Sequence, residues 1–179
     1  MARFRRDRLS DGFEEIVVKV NLCCKVVKGG KRFSFSALVC VGNRKGQIGW
    51  GYGKAKEVPF AVDKGIQEAK KNLITVPIVK GTIPHTTKQK HSATTVLLIP
   101  ACAGTGVKAG SSARSVIELA GVHNVLTKVQ GSTNPINVVK ATIKCLENLK
   151  TIKAVEETRG VALRKRDTIK QAVTAEESK

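Results

Sequence analysis

From Glu14 to Gly53 the chain runs in short apolar stretches of partial period two, separated by glycine-bearing polar breaks. Glu14 to Val27 is valine-rich and partly alternating, which predicts a strand. Lys28-Gly29-Gly30-Lys31 breaks it, and the glycine pair tolerates the positive φ of a hairpin turn. Arg32 to Val41 is then the return strand, Gly42 to Gly46 a second turn, and Gln47 to Gly53 a third strand. The result is a three-stranded antiparallel meander. In its third strand Ile48, Trp50 and Tyr52 share one face, while Gly49, Gly51 and Gly53 leave the other bare.

The period then changes. Glu57-Val58-Pro59 opens a helix, with Pro59 suited to its first turn. Val58, Val62, Gly65, Ile66, Ala69 and Leu73 form its apolar stripe, opposite Lys64, Gln67, Lys70 and Lys71. Meander plus helix make a first domain over 13–76. A connector over 77–93 holds Pro77, Gly81 and Pro84. The second domain, 94–150, reads as a strand (Thr94 to Ile99), a small-residue loop (Ala101 to Gly110) and a helix stopped by Gly121 (Ser111 to Ala120). A strand from Val122 to Gln130 follows, then a helix capped by Asn134 with Pro135 at its first position. A basic arm over 1–12 carries Arg3, Arg5, Arg6 and Arg8, and a charged tail over 151–179 is expected to hold one short helix before becoming mobile. The fold class is α+β, in two small domains.

Composition adds a partner. The 179 residues include 32 Lys and Arg against 14 Asp and Glu, a net charge of +18. The excess is placed unevenly: no acid occurs between Glu15 and Glu57, or from Ala69 to Ile117. Positive charge fixed on a folded scaffold repels itself unless a polyanion is near, and nucleic acid is the obvious one. Aromatic residues are only 4% of the chain, which speaks against a surface built mainly from base stacking. The longest apolar run, Val96 to Ala103, is too short for a membrane helix and Met1 to Arg8 has no signal core, so a soluble cytoplasmic protein without a membrane partner is expected. The five cysteines lack the paired spacing of a zinc site; all but Cys24, which abuts a basic turn, lie in apolar surroundings and read as core or near-core thiols in a reducing compartment. No cofactor or metal is expected.

Three constellations could carry chemistry. At the hairpin tip Lys25, Lys28, Lys31 and Arg32 can spread along a phosphate backbone while Gly29 and Gly30 let main-chain amides approach. Arg44, Lys45, Lys54 and Lys56 extend this basic set. The bare face at Gly51 and Gly53 calls for a close neighbour, which is either a packed helix or strand or RNA itself. Third, Gly104-Thr105-Gly106 through Ala113 places small residues before a helix start, and Pro100 with Ala109-Gly110-Ser111-Ser112-Ala113 resembles the phosphate loop of galactokinase-type small-molecule kinases. A kinase needs carboxylate beside magnesium, and Glu118 is the sole acid between residues 69 and 146. The scattered His85, His91 and His123 and the lack of a paired nucleophile give no support to a hydrolase. The chain is not expected to be an enzyme.

Five motifs in order complete the picture: Val27 to Phe35, Gly49 to Pro59, Gly104 to Gly106, Ala120 to Val125 and Gly131 to Val139. Together they resemble the bacterial small-subunit ribosomal protein five family, from about Glu14 to Leu149. The resemblance implies an amino-terminal domain like a double-stranded-RNA-binding domain and a βαβα second domain with a left-handed crossover. It also implies binding to 16S rRNA within the cytoplasmic small subunit, small-subunit proteins four and eight as neighbours, and a share, with proteins three and four, in the channel through which mRNA enters. The hairpin Lys25 to Arg32 matches the loop whose changes alter spectinomycin response. Gly106 and Arg114, with Gly104 beside them, match positions where changes loosen decoding accuracy at the contact with protein four. Ser111 and Ser112 replace glycines common in the family, and 85–95 follows no recognised pattern. A free-standing double-stranded-RNA binder with a regulatory role is the rival reading.

Overall fold

The computed structural model of the chain describes residues 5–6 and 12–161. Most of the expected arm, and the tail beyond 161, lie outside the described residues. The elements in chain order are β1 (Arg5–Arg6), β2 (Glu14–Val27), β3 (Gly30–Gly42), β4 (Gln47–Ala55), α1 (Val58–Lys71), β5 (Leu73–Thr75), β6 (Thr87–His91), β7 (Thr94–Pro100), β8 (Val107–Lys108), α2 (Ser111–Ala120), β9 (Val125–Gly131), α3 (Pro135–Glu147) and α4 (Ile152–Arg159). One sheet has the order β1-β2-β3-β4-β5 and the other β6-β7-β9-β8.

The meander is present, and it is uneven in length. β2 and β3 turn tightly at Lys28-Gly29, with Val27 opposite Gly30 and Gly29 at φ 92°. β4 ends at Ala55, opposite Phe35. Beyond that point β2 and β3 continue alone as a two-stranded ribbon.

The two faces of β3 lie in different cores. Ala37, Val39 and Val41 pack under α1 against Ala61, Val62, Ile66 and Ala69. Leu38 and Cys40 turn the other way, into a larger core with Ile48, Leu98, Val116, Ile117, Val139 and Leu146. That second core joins both sheets through α2 and α3. In one compact unit ending at Leu149 the layers therefore run α1, first sheet, α2 with α3, second sheet. Such burial holds the Cys40 thiol up at about 12 and the Cys145 thiol at about 11. Lys140 of α3 sits 4.9 Å over the Trp50 ring of β4, an added link across the layers.

Main-chain bonds fix the same junction. The turn after β3 docks on the end of α2: Arg44 N donates to Leu119 O (2.9 Å) and Gly46 N to Ala120 O (2.9 Å). These bonds satisfy carbonyls that the helix end leaves open. Gly121, at φ 91°, provides the left-handed C-cap.

Several expectations shift. The first helix stops at Lys71, and Leu73 leaves its stripe to pair with Gly49 in β5. Val58 and Leu73 are at the surface, whereas Ala61, outside the expected stripe, is fully buried. The connector contains β6, whose Thr-Lys-Gln-Lys-His alternates polar residues with charge because one of its faces meets solvent. The ninth strand starts three residues later than expected. Val122 N closes α2 by bonding Ile117 O, and the amides of His123 and Asn124 both reach Gly81 O. β7 and β9 are antiparallel, and the parallel pairing a crossover needs comes from β8, inside the small-residue loop. Asn134 caps α3 as expected, accepting from Ile136 N. In the separate unit from Lys150 onward, α4 is capped by Thr151 and ended by Gly160.

Candidate nucleic-acid interface

Pairing within the ribbon decides how its charges are presented. Lys25 lies directly opposite Arg32, and Val26 opposite Lys31. Like charges across a strand pair repel, so this register costs stability when nothing neutralises it. Lys25, Lys28, Lys31 and Arg32 are all exposed, and among the described residues none of the four makes an ion pair. Because Cys23 faces Ser34 and Ser36 faces Lys54, the alternation sets Lys25, Arg32 and Lys54 on one side of the sheet. Arg32 and Lys54 are then roughly 13 Å apart along the strand direction, at 3.3 Å per residue. Gly29 and Gly30 have open space around them, so conformation and not crowding requires them there.

The ribbon's other side differs in kind. It carries Leu22 (61% exposed), Val26 (72%) and Phe33 (56%), together with Lys31. Sequence reading missed this apolar strip as part of the site. Its signal was available: the valine and phenylalanine alternation continues past the end of the third strand, where no element remains to cover it.

Two groups of expected site residues take other roles. A Cβ on Gly49, Gly51 or Gly53 would overlap the carbonyl oxygen of Ala69, Gly65 or Ala61 respectively, so α1 occupies the bare face. Gly51 and Gly53 are buried beneath that helix and are not part of an RNA-facing surface, which resolves the two alternatives in favour of the packed helix. Tyr52 N, on the open edge of β4, is met by Glu68 Oε2 at 2.8 Å, which blunts that edge. Arg44 is the second correction. Its backbone, at φ 53°, docks on α2, and its guanidinium is 2.8 Å from Glu14 Oε2. It works as a joint between layers. Lys45, Lys54 and Lys56 remain exposed.

The small-residue loop is built from its neighbours. Asn124 Oδ1 accepts from Gly106 N at 3.1 Å, and Val125 N donates to Gly106 O. Arg114 donates to Val107 O at 2.8 Å while its Nε lies 3.3 Å from Glu118 Oε1. Gly104, Gly106 and Arg114 thus belong to one loop-and-helix start, with both glycines in the left-handed region (φ 90° and 72°). Glu118, the one carboxylate in reach, is engaged by Arg114. His91 is pushed below its ordinary value by desolvation first and then by Lys144 and Lys140. Among the described residues no group of three His, Cys, Asp or Glu could hold a metal ion, and no helix is long and apolar enough to cross a membrane.

Two family models match the chain: ribosomal protein S5, N-terminal domain, over residues 13–77, and ribosomal protein S5, C-terminal domain, over 89–159. The chain belongs to the ribosomal protein S5 family. Proteins named small ribosomal subunit protein uS5 are similar to it over most of its length. That of Shewanella amazonensis is 45% identical over 163 residues, covering 91% of this chain and 97% of the relative. That of Rhodopirellula baltica is 48% identical over 153 residues, or 86% of each. That of Aquifex aeolicus is 54% identical over 148 residues, covering 83% of this chain and 71% of its own. This is a family of structural ribosomal proteins, not of enzymes, and the kinase-like loop is a likeness of architecture alone. The second matched region begins within β6, which lies in the segment expected as a connector.

Proposed function

We propose that this chain is a structural protein of the small ribosomal subunit in the cytoplasm, anchored on 16S rRNA by the ribbon of β2 and β3. The observation that carries this reading is the ribbon's cross-strand pair Lys25–Arg32, with Lys28 and Lys31 beside it and, among the described residues, no acid paired with any of them. A register that costs the free protein stability is sensible where phosphates complete it. Lys54 and Lys56, at the end of β4 nearest the ribbon, extend the contact, whereas Lys45 stands in the turn at the opposite end of β3. Each lysine that meets a phosphate releases counterions, and shape and backbone, more than base edges, are what the ribbon reads.

The finer roles rest on the loop at Gly104 to Gly110. Arg114 ties that loop to α2, so a change at Arg114 or at either glycine alters the surface offered to a neighbour. On this reading the loop meets small-subunit protein four, and the strength of that contact sets how readily the subunit closes on correct pairing, hence decoding accuracy. Protein eight as a second neighbour, and a place with protein three beside incoming mRNA, complete the assignment. Sucrose-gradient fractionation tests the assembly claim. The chain is expected to travel with small subunits through a high-salt wash. A free-standing double-stranded-RNA binder would instead be released and spread across RNA-bearing fractions.

A further inference from the structure

The second sheet has one covered face and one open face. Thr94, Val96 and Leu98 of β7, with Val125 and Val129 of β9, face α2 and α3 and are buried or packed on that core. The intervening residues point the other way, and register arranges them in rows across the sheet. One row is Lys88, Leu97, Lys128; the next is Lys90, Thr95, Gln130; the third is Ile99, Leu126, Lys108. Every lysine in these rows is exposed, Ile99 is 37% exposed, and Leu97, Leu126 and Thr95 are half-buried. No helix of the compact unit lies on this side among the described residues, because α2 and α3 both belong to the opposite face.

We propose that this open face is a second contact surface for the sugar-phosphate backbone of RNA, separate from the ribbon. The four strands place lysines at both flanks, so Lys88 and Lys128 stand about 10 Å apart across two strand spacings. The centre between them is a low aliphatic strip of Leu97, Ile99 and Leu126, against which ribose can rest. The strands β6, β7, β8 and β9 contain no acid, so nothing on the face offsets its charge. That composition decides between RNA and a protein partner. The core of a protein interface is depleted in lysine and enriched in aromatic residues, whereas this face has four lysines and no aromatic side chain. Without aromatics it has no stacking platform either, so phosphate and sugar, not bases, are what it recognises. β6 falls in the stretch where sequence alone gave no motif. The face appears only when the register brings residues 88, 97, 108 and 128 together.

The inference rests on the reading that the chain binds rRNA, but through different residues, and the two can fail separately. The full-length protein is titrated with purified protein-free small-subunit rRNA at several salt concentrations. Three forms are compared: the parent, a sheet variant (Lys88→Gln, Lys90→Gln, Lys108→Gln, Lys128→Gln) and a ribbon variant (Lys25→Gln, Lys28→Gln, Lys31→Gln, Arg32→Gln). The sheet variant is expected to bind about tenfold more weakly and to lose up to about 3 from the slope of log affinity against log salt, at roughly 0.7–0.9 per phosphate contact. Its melting temperature should match the parent's, since the four side chains are in solvent. A Lys→Arg version of the same four positions should restore both affinity and slope, which a folding defect would not allow. Unchanged affinity and slope in the sheet variant, with loss in the ribbon variant, would overturn this inference and leave the proposed function standing. Loss in the sheet variant alone would support the face and count against the ribbon. A sheet variant that binds free rRNA normally yet drops out of assembled subunits would mark the face as a protein-docking surface, and the RNA assignment would be lost.

Discussion

Gly53→Ala and Gly51→Ala are each expected to lower the melting temperature by roughly 6–12 °C, corresponding to at least about 3 kcal/mol in a chain of this size. At Gly53 the new Cβ meets the carbonyl oxygen of Ala61 and comes within 2.6 Å of Gly65 N; at Gly51 it meets Gly65 O and lies 2.6 Å from Ala69 N. Both obstacles are helix backbone, which cannot rotate aside as a side chain would. α1 must therefore lift from β4 and open the cluster of Val39, Val41, Val62 and Ile66 beneath it. Thermal unfolding followed by circular dichroism reads this directly. Parent-like melting of both variants would mean that α1 does not rest on the glycine face.

The ribbon variant, with Lys25, Lys28, Lys31 and Arg32 all changed to Gln, is expected to move binding and stability in opposite directions. Affinity for protein-free small-subunit rRNA should fall on the order of a hundredfold at physiological salt, with the salt slope reduced by about 3. The free protein should melt at the same temperature or slightly higher, because the Lys25–Arg32 juxtaposition opposes folding by roughly 0.2–1 kcal/mol and its removal relieves that cost. A general folding defect would lower both quantities. Unchanged affinity and slope would return the ribbon to a solvated hairpin.

The glycine face and the ribbon also mark what was legible in the sequence. The hairpin could be read because its signals are local: a valine-rich run, Gly29-Gly30, and a return strand are contiguous. The glycine alternation in β4 showed that something approached the backbone, but whether a helix or RNA filled the gap depends on the placement of α1, which no spacing within β4 determines. Arg44 misled for a similar reason. In sequence it is one more cation in a basic turn, and only the docking of that turn on Leu119 and Ala120, with Glu14 beside it, shows a structural joint. The edge strand β6 of the second sheet was hidden because Thr87–His91 is polar on its outer face and carries no apolar repeat. The exposed strip of Leu22, Val26 and Phe33 is different, since its alternation is present in the sequence and it is uncovered because β4 stops at Ala55. Contacts between residues distant in sequence, above all the shared core of both sheets, account for most of what composition and periodicity left open.

The claim on which the rest depends is that the ribbon lies against rRNA inside the assembled subunit. A photoreactive benzophenone side chain at Val27, which shares the side of the ribbon that carries Lys25 and Arg32 and leaves all four ribbon cations in place, tests it in the intact particle. After incorporation of the full-length chain into small subunits and irradiation, the expected product is a covalent adduct between this protein and rRNA at a discrete nucleotide position. An adduct exclusively with another ribosomal protein, or none at all in fully assembled subunits, would contradict it.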